Sequence, residues 1–390
     1  MTTASSRRHL IDAVSFLFNL SAAFVAYFLS TWLASRIGAR NVDAAFAGAS
    51  LLTLVLLPQF VDLMAGIGRG RATVMVMGLH LAALFAFVSG FSAVFSLLAF
   101  MVYLATLFCA LFGLDVVLEK YSSDRATGGI RGRHLTVLNL AWVFAPFFAG
   151  RIFVAGGFRS LALVSAVACG LATALLAARF WGRGTGLRLK QESLAQALQL
   201  LKRRPIRYAL ALAFLLQVFY AVMVVETPLV LEHLGFGAGS IGLMFTIMLI
   251  PFVLVQYPLG RAVDGRFQER DILVAGFFIA GLATLAIALL TGSSFAGSFA
   301  LWTALLFISR IGAAAIEVMR DSYFFKHVDG RDLHVIALLW STMPLAYLVA
   351  PLFSSAIVRL TGSPSTLFSL LGLLLLGFSW IVTRLPETKN

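Results

Sequence analysis

The residues able to do chemistry in this 390-residue chain are the few polar and charged groups stranded inside long apolar stretches. Arg310 is the sharpest of them. It follows a charge-free run that begins after Asp271, and it lies about ten residues, or 15 Å of helix, before Arg320. With Arg320 at a membrane boundary, Arg310 would sit near the middle of a bilayer. A cation at that depth normally faces protein or water, and a planar guanidinium can grip a carboxylate or phosphate with two hydrogen bonds. The plainer alternatives are a structural ion pair or a snorkelling side chain. Glu226 is the matching acid: a protonatable group whose charge would be set by burial and nearby cations, or else an interfacial carboxylate beside Glu232. The following Thr227-Pro228 would kink or end the helix there. His80 lies at mid-depth in another apolar run and reads either as a satisfied packing histidine or as a proton carrier.

Other chemistries find no support. The six histidines (His9, His80, His134, His233, His327, His334) are scattered and form no cluster of an enzymatic or metal-binding kind. No Gly-x-x-x-x-Gly-Lys-Ser/Thr segment occurs to hold a nucleotide. Cys109 and Cys169 both fall in apolar runs, so a disulfide is not expected. Neither a cofactor nor a metal is expected, and the chain is not expected to be an enzyme.

The elements that must position these residues follow from composition. Hydrophobic residues make up 60% and charged residues 12% of the chain, more apolar surface than a soluble fold of this length can hide. Stretches without charge run from Arg71 to Asp115, Asp271 to Arg310 and Asp332 to Arg359, each longer than the roughly 18 residues that cross a bilayer as a helix. Barrel strands would alternate apolar and polar residues; continuous runs such as Leu51 to Pro58 and Leu210 to Leu216 do not. The chain therefore reads as an all-α membrane protein of twelve transmembrane helices. They are predicted near 11–35, 43–65, 72–89, 93–118, 135–156, 160–180, 208–231, 237–260, 272–291, 297–319, 334–358 and 364–383. Ser89-Gly90-Phe91-Ser92 and Gly292-Ser293-Ser294 divide two long runs, and Gly362-Ser363-Pro364-Ser365 separates the last two helices. The first apolar run, Ala13 to Ser35, is too long for a signal core and lacks a small-residue cleavage site, so it is expected to remain as a span.

The net charge of +13 does not indicate nucleic-acid binding, because the basic residues sit in the gaps between spans. Of the 30, only Arg36, Arg40, Arg151, Arg159 and Arg359 fall on one side; Arg310 lies within a span and the rest collect on the other side. That bias predicts both termini in the cytoplasm, in a plasma or inner membrane.

The chain also repeats itself. At an offset of 198 residues, Gly132-Arg133-x-Leu135-x-Val137-x-x-Leu140-x-Trp142-x-x-x-Pro146 overlies Gly330-Arg331-x-Leu333-x-Val335-x-x-Leu338-x-Trp340-x-x-x-Pro344. The same offset places Asn19 over Gln217 and Leu33 over Leu231. Two parallel six-helix halves are implied: residues 1–181 and 208–390, joined by a basic linker over 182–207 with an amphipathic segment from Glu192 to Leu201. Asn19 and Gln217, mid-way along matching helices, would either hydrogen-bond a substrate or hold neighbouring helices together. Tyr220 is one turn beyond Gln217 on the same face. Trp142 and Trp340 would wall a cavity or, more plainly, pack in a core.

Two parallel halves joined by a basic loop resemble the major facilitator superfamily of transporters. Its loop between the second and third helices of each half reads Gly-x-x-x-Asp-(Arg/Lys)-x-Gly-(Arg/Lys)-(Arg/Lys). The second half offers Gly260-Arg-Ala-Val-Asp264-Gly-Arg266-Phe-Gln-Glu-Arg270, keeping the glycine, the aspartate and a final arginine. The first half, Asp62-Leu-Met-Ala-Gly66-Ile-Gly68-Arg69-Gly70-Arg71, has glycine where the aspartate belongs. The tail Leu385-Pro386-Glu387-Thr388-Lys389 is similar to that of many members. The resemblance implies a secondary transporter working as a monomer by alternating access, with a small-molecule substrate, with or without protons. Helices 1, 4, 7 and 10 would line the central cavity, which would aim Arg310 at a substrate carrying negative charge and make Arg310, Asn19, Gln217, Tyr220, Trp142 and Trp340 its lining. An exporter of hydrophobic compounds is the rival within the class; a membrane-embedded enzyme and a non-transporting receptor are the alternatives outside it. A cytoplasmic gate is expected from Asp115 and Glu119, and from Glu317 and Asp321, each pair one turn apart and each just before Arg131 and Arg133, or Arg331. Asp62 with Arg71 and Asp264 with Arg270 would join them. Partly exposed pairs worth about 0–1 kcal/mol each suit a contact that must open.

Overall fold

The computed structural model describes residues 3–38, 41–89, 92–121, 127–181, 199, 201–264, 267–328 and 333–385. Among these residues it contains twelve long helices and no strand. They are α1 (Thr3–Ile37), α2 (Val42–Ile67), α3 (Arg69–Val88), α4 (Ala93–Glu119), α5 (127–155), α6 (158–180), α7 (Arg204–His233), α8 (Ala238–Val263), α9 (Glu269–Thr291), α10 (Phe299–His327), α11 (Leu333–Thr361) and α12 (Pro364–Val382). Among the described residues eleven stretches are long and apolar enough to cross a membrane, and one of them, Phe148–Phe180, runs through the junction of α5 and α6. This is a multi-pass membrane protein.

Local chemistry sets the boundaries. Gly156 and Gly157 leave helical geometry between α5 and α6, and Gly157 has φ +65°, a left-handed conformation that side chains disfavour. Ser92, Ser298 and Ser363 each accept an amide hydrogen bond at the start of a helix. α7 starts at Arg204 because Pro205 suits the first helical turn, so the last residues of the expected linker are helical. Its expected amphipathic segment lies outside the described residues, apart from Gln199 and Leu201. Three helices outrun the expected spans by eight residues at one end: α1 starts at Thr3, α5 at residue 127, and α10 continues through Arg320 to His327. Their extra turns carry charged and polar residues that need no hydrocarbon around them, which a reading based on apolar length misses.

The helices gather into two compact units. One holds α1–α4, α6, α5 from Leu140 onward, and the first part of α11 up to Leu345. Its interior is aromatic: Trp32 stacks on Phe158 and tilts against Phe87, which in turn meets Tyr103. The other holds α7–α10, α12, the remainder of α11, and the first part of α5 up to Asn139. Thus α5 and α11, the repeat-related helices, each divide between the units. Large apolar side chains such as Val154, Leu289 and Leu360 stand outward, as a surface facing acyl chains requires.

Candidate functional site

In the second unit the site is built from α7 and α10, which pack against each other. Arg310, about 16 Å of helix from the start of α10, is only 2% exposed, so it does not face lipid. Its guanidinium carbon lies 5.0 Å from the centre of the Phe219 ring and 5.8 Å from that of Tyr220, close enough for cation–π attraction. Tyr220 meets the Phe252 ring of α8 edge-on, and Tyr347 of α11 lies within the field of the same arginine. Beside this charge, Gln217 Oε1 and Tyr220 Oη are buried and make no hydrogen bond among the described residues. Buried polar atoms are nearly always satisfied, and these two lie one turn apart on the helix that packs against α10.

Below Arg310 runs a polar chain that the sequence reading missed. Asn139 of α5 donates to Gln256 Oε1 at 3.0 Å, and Gln256 of α8 donates to Glu317 Oε2 at 2.6 Å. Arg320 grips Asp321 Oδ1 through Nε at 2.9 Å and Nη2 at 2.6 Å, both residues nearly buried. So Glu317 and Asp321, expected to reach toward Arg331, are engaged within the second unit instead; Arg331 itself lies outside the described residues. The signal for Gln256 was present, since it is a lone amide in the apolar stretch of α8. Glu226 accepts a hydrogen bond from Ser354 of α11, and α7 continues through Pro228 to His233 instead of ending there.

Asp264, the surviving aspartate of the loop motif, does not pair with Arg270. Its Oδ1 accepts the Gly128 amide at 3.0 Å and its Oδ2 the Gly129 amide at 2.7 Å, capping the exposed N–H groups at the start of α5. Arg270 turns to Asp271 at 3.6 Å. The cap is possible because the helices nearly touch. Gly128 and Gly260 abut backbone to backbone, and a Cβ on Gly132 would stand 2.5 Å from the Gln256 carbonyl oxygen. Nearby, Arg131 lies 3.5 Å from the Phe325 ring centre, and Arg133 is half-buried on the next turn of α5. Glu269, at the first turn of α9, takes Lys326 at 2.6 Å and Ser322 at 3.0 Å, a junction the sequence reading also missed.

In the first unit, Asn19 is a packing residue. Its amide donates to Ser15 within α1 at 2.9 Å and accepts the Trp142 indole N–H at 3.1 Å. Trp340 donates to Asp115 Oδ2 at 2.9 Å. The matched tryptophans are therefore polar clasps, Trp142 on Asn19 and Trp340 on Asp115. Asp62 faces His334 at 3.6 Å, not Arg71, whose Nε binds the Trp181 carbonyl at 2.7 Å. Glu119 is half-buried at the end of α4. His80 is fully buried, with Nδ1 3.1 Å from Thr106 Oγ1 and its ring against Phe18 and Tyr103, as a packing histidine should be. Among the described residues no group of three His, Cys, Asp or Glu side chains is placed to hold a metal ion.

Comparison with known proteins gives the same picture. Residues 209–390 match the family model of the Major Facilitator Superfamily. No curated protein sequence matches the chain. Among solved structures, it is similar to the human organic anion transporter MFSD10 (TETRAN), at 13% identity and TM-score 0.80, covering 98% of this chain and 100% of that one. It is similar also to the fucose:proton symporter FucP of E. coli, at 14% identity and TM-score 0.76, covering 98% and 99%. The proton:xylose symporter XylE follows at 13% identity and TM-score 0.75, covering 99% and 96%. The resemblance drawn from the repeat and the loop motif holds: the second half matches the superfamily in sequence, and the whole chain shares its fold.

Proposed function

We propose, for a chain that has the major facilitator fold, that it is a secondary transporter moving a small organic anion across the membrane by alternating access, with Arg310 as the charge that receives it. The observation that carries this reading is the pair of buried, unsatisfied atoms Gln217 Oε1 and Tyr220 Oη on the α7 face that packs beside Arg310. A carboxylate seated on the guanidinium would be held bidentately and would accept the Tyr220 hydroxyl, while Gln217 would take a donor from the remainder of the solute. The aromatic wall of Phe219, Phe252 and Tyr220 suits an apolar body behind the anionic head. The structural likeness to an organic anion transporter supports the choice of charge; the two proton symporters support coupling to protons. For that coupling we assign Glu226, hydrogen-bonded to Ser354 across α7 and α11. The distribution of basic residues supports cytoplasmic termini, and the fold needs only one chain.

Uptake into proteoliposomes tests the reading. Monocarboxylates and dicarboxylates with apolar bodies should be carried in preference to neutral sugars. Arg310→Gln should lower uptake by about 30-fold or more, since losing one partner of a desolvated charge pair costs about 2–5 kcal/mol, while Arg310→Lys keeps part of the activity. Unchanged anion uptake in Arg310→Gln would rule the assignment out. Uptake that ignores an imposed pH gradient in wild type and Glu226→Gln alike would remove the proton from the cycle.

A further inference from the structure

A second polar site lies in the first unit, away from Arg310. Where α1 begins, α2 ends, α3 begins, and α4 and α6 end, a cavity of about 90 Å³ is lined by Arg7, Arg69, Arg71 and Lys120, with Gly68, Gly70, Tyr121 and Phe180 among its walls. Among the described residues no acidic side chain lines it. Arg7, Arg71 and Lys120 meet there with no carboxylate partner among the described residues, and holding like charges together in a small pocket is costly. Arg69 is nearly buried and donates to the Val116 carbonyl at 3.4 Å. Arg71 spends its Nε on a backbone carbonyl, that of Trp181. Arg7 lies 5.2 Å and Lys120 5.8 Å from the centre of the Tyr121 ring, and among the described residues neither has a carboxylate partner. Arg7 Nε is a buried donor with no acceptor among the described residues. Burial first, and then the neighbouring Arg69 and Arg7, hold the Lys120 ammonium below the ordinary lysine range. The first turn of α3 adds its own unsatisfied N–H groups, because Gly68 provides no side-chain cap.

We propose that this pocket binds a phosphate group, with Arg7, Arg69, Arg71 and Lys120 as its ligands. Its volume matches a few waters or one phosphate rather than a whole metabolite. It also lies where five helices reach the edge of the apolar spans, at headgroup depth. The phosphate can come from an anionic phospholipid or from a soluble phosphate. The degenerate loop motif gains a purpose in this reading. Glycine in place of the aspartate leaves the first-half loop without the acid that its second-half counterpart spends on a helix start, and the positive field stays open to an outside anion.

The test uses the purified full chain in neutral detergent, followed by thermal unfolding at fixed ionic strength. Short-chain phosphatidic acid, short-chain phosphatidylcholine and inorganic phosphate are titrated separately. Phosphatidic acid should raise the melting temperature of wild type, phosphatidylcholine much less. In Arg7→Gln/Lys120→Gln the midpoint concentration should rise at least 10-fold, while Arg36→Gln, an exposed cation elsewhere, keeps the wild-type midpoint. If inorganic phosphate reproduces the shift at the same midpoint, the source is a soluble phosphate; if only phosphatidic acid does, it is lipid. Arg71→Gln provides a second variant should the double substitution fail to fold. Equal responses of wild type and both variants, or no response to either phosphate source, overturn the proposal.

Discussion

Asp264→Ala should unfasten the start of α5. The first four amides of a helix have no intrahelical acceptor, so the protection of Gly128 and Gly129 rests on the two Asp264 oxygens at 3.0 and 2.7 Å. Losing an N-cap side chain costs about 0.5–2 kcal/mol, and removing a negative charge from a helix N-terminus adds about 0.3–1 kcal/mol. Asp264 is half-exposed, so water recovers part of the loss, and about 2 kcal/mol is the expected net. At about 1.4 kcal/mol per factor of ten, local opening of this turn becomes about 30-fold more frequent. Hydrogen–deuterium exchange on a peptide spanning 127–135 reads that directly. Asp264→Asn keeps one carbonyl acceptor but loses the charge and the second acceptor, so its exchange should quicken less than in Asp264→Ala, by about 5-fold. Peptides over α9 serve as the internal control and should not change. If the α5 peptide exchanges at the wild-type rate in Asp264→Ala, then Asp264 is not what holds this turn.

Three further outcomes are expected. Gly132→Ala puts a Cβ 2.5 Å from the Gln256 backbone oxygen, which cannot move aside as a flexible side chain would; it should destabilise by about 1–3 kcal/mol, read as a lowered melting temperature, whereas Gly150→Ala enters open space and should not. Trp340→Phe removes the indole donor from Asp115 while keeping an aromatic body; a cost of about 1–2 kcal/mol is expected, and a melting temperature equal to wild type would show the bond to be incidental. His80→Gln should lower stability but leave the shape of the pH dependence of transport unaltered, because His80 is enclosed by Phe18, Tyr103 and Thr106; a displaced pH profile would make it part of a proton path.

What could be read from the chain alone divides along a physical line. Membrane spanning is a property of local sequence, since hydrocarbon demands long uncharged helices, and so the twelve elements and the helix ends after Val88 and Thr291 were legible. The burial of Arg310 was legible for the same reason: a charge in an apolar run must find cover. Partner choice was not, because it depends on which helices meet. Asp264 lies six residues from Arg270 in sequence, but its oxygens reach Gly128 and Gly129, far earlier in the chain. Asp62 passed over Arg71 for His334 by the same logic. Helix ends beyond the hydrocarbon were illegible for a third reason. At Thr3, Thr127 and His327 nothing apolar marks where a helix stops, and only backbone capping and packing decide.

The repeat itself yields one more step, because its two copies no longer make the same contacts. Trp142 spends its indole N–H on Asn19, satisfying that amide within the first unit. Strict symmetry would have Trp340 do the same for Gln217, the residue at Asn19's repeat-related position. Instead the first part of α11 lies with the first unit, and Trp340 holds Asp115 there. Gln217 Oε1 is left buried and unsatisfied on the helix packed against Arg310. A duplicated bundle starts with two equivalent polar positions, and here one has become internal structure while the other has been left open. That predicts a lopsided response to substitution: Asn19→Leu should chiefly lower the melting temperature, and Gln217→Leu should chiefly change uptake, since replacing an unpaired buried amide by an isosteric apolar group removes a desolvation cost. A Gln217→Leu protein that is less stable than wild type yet transports normally would mean that Gln217 is packing glue after all, and that the solute's place lies elsewhere on α7.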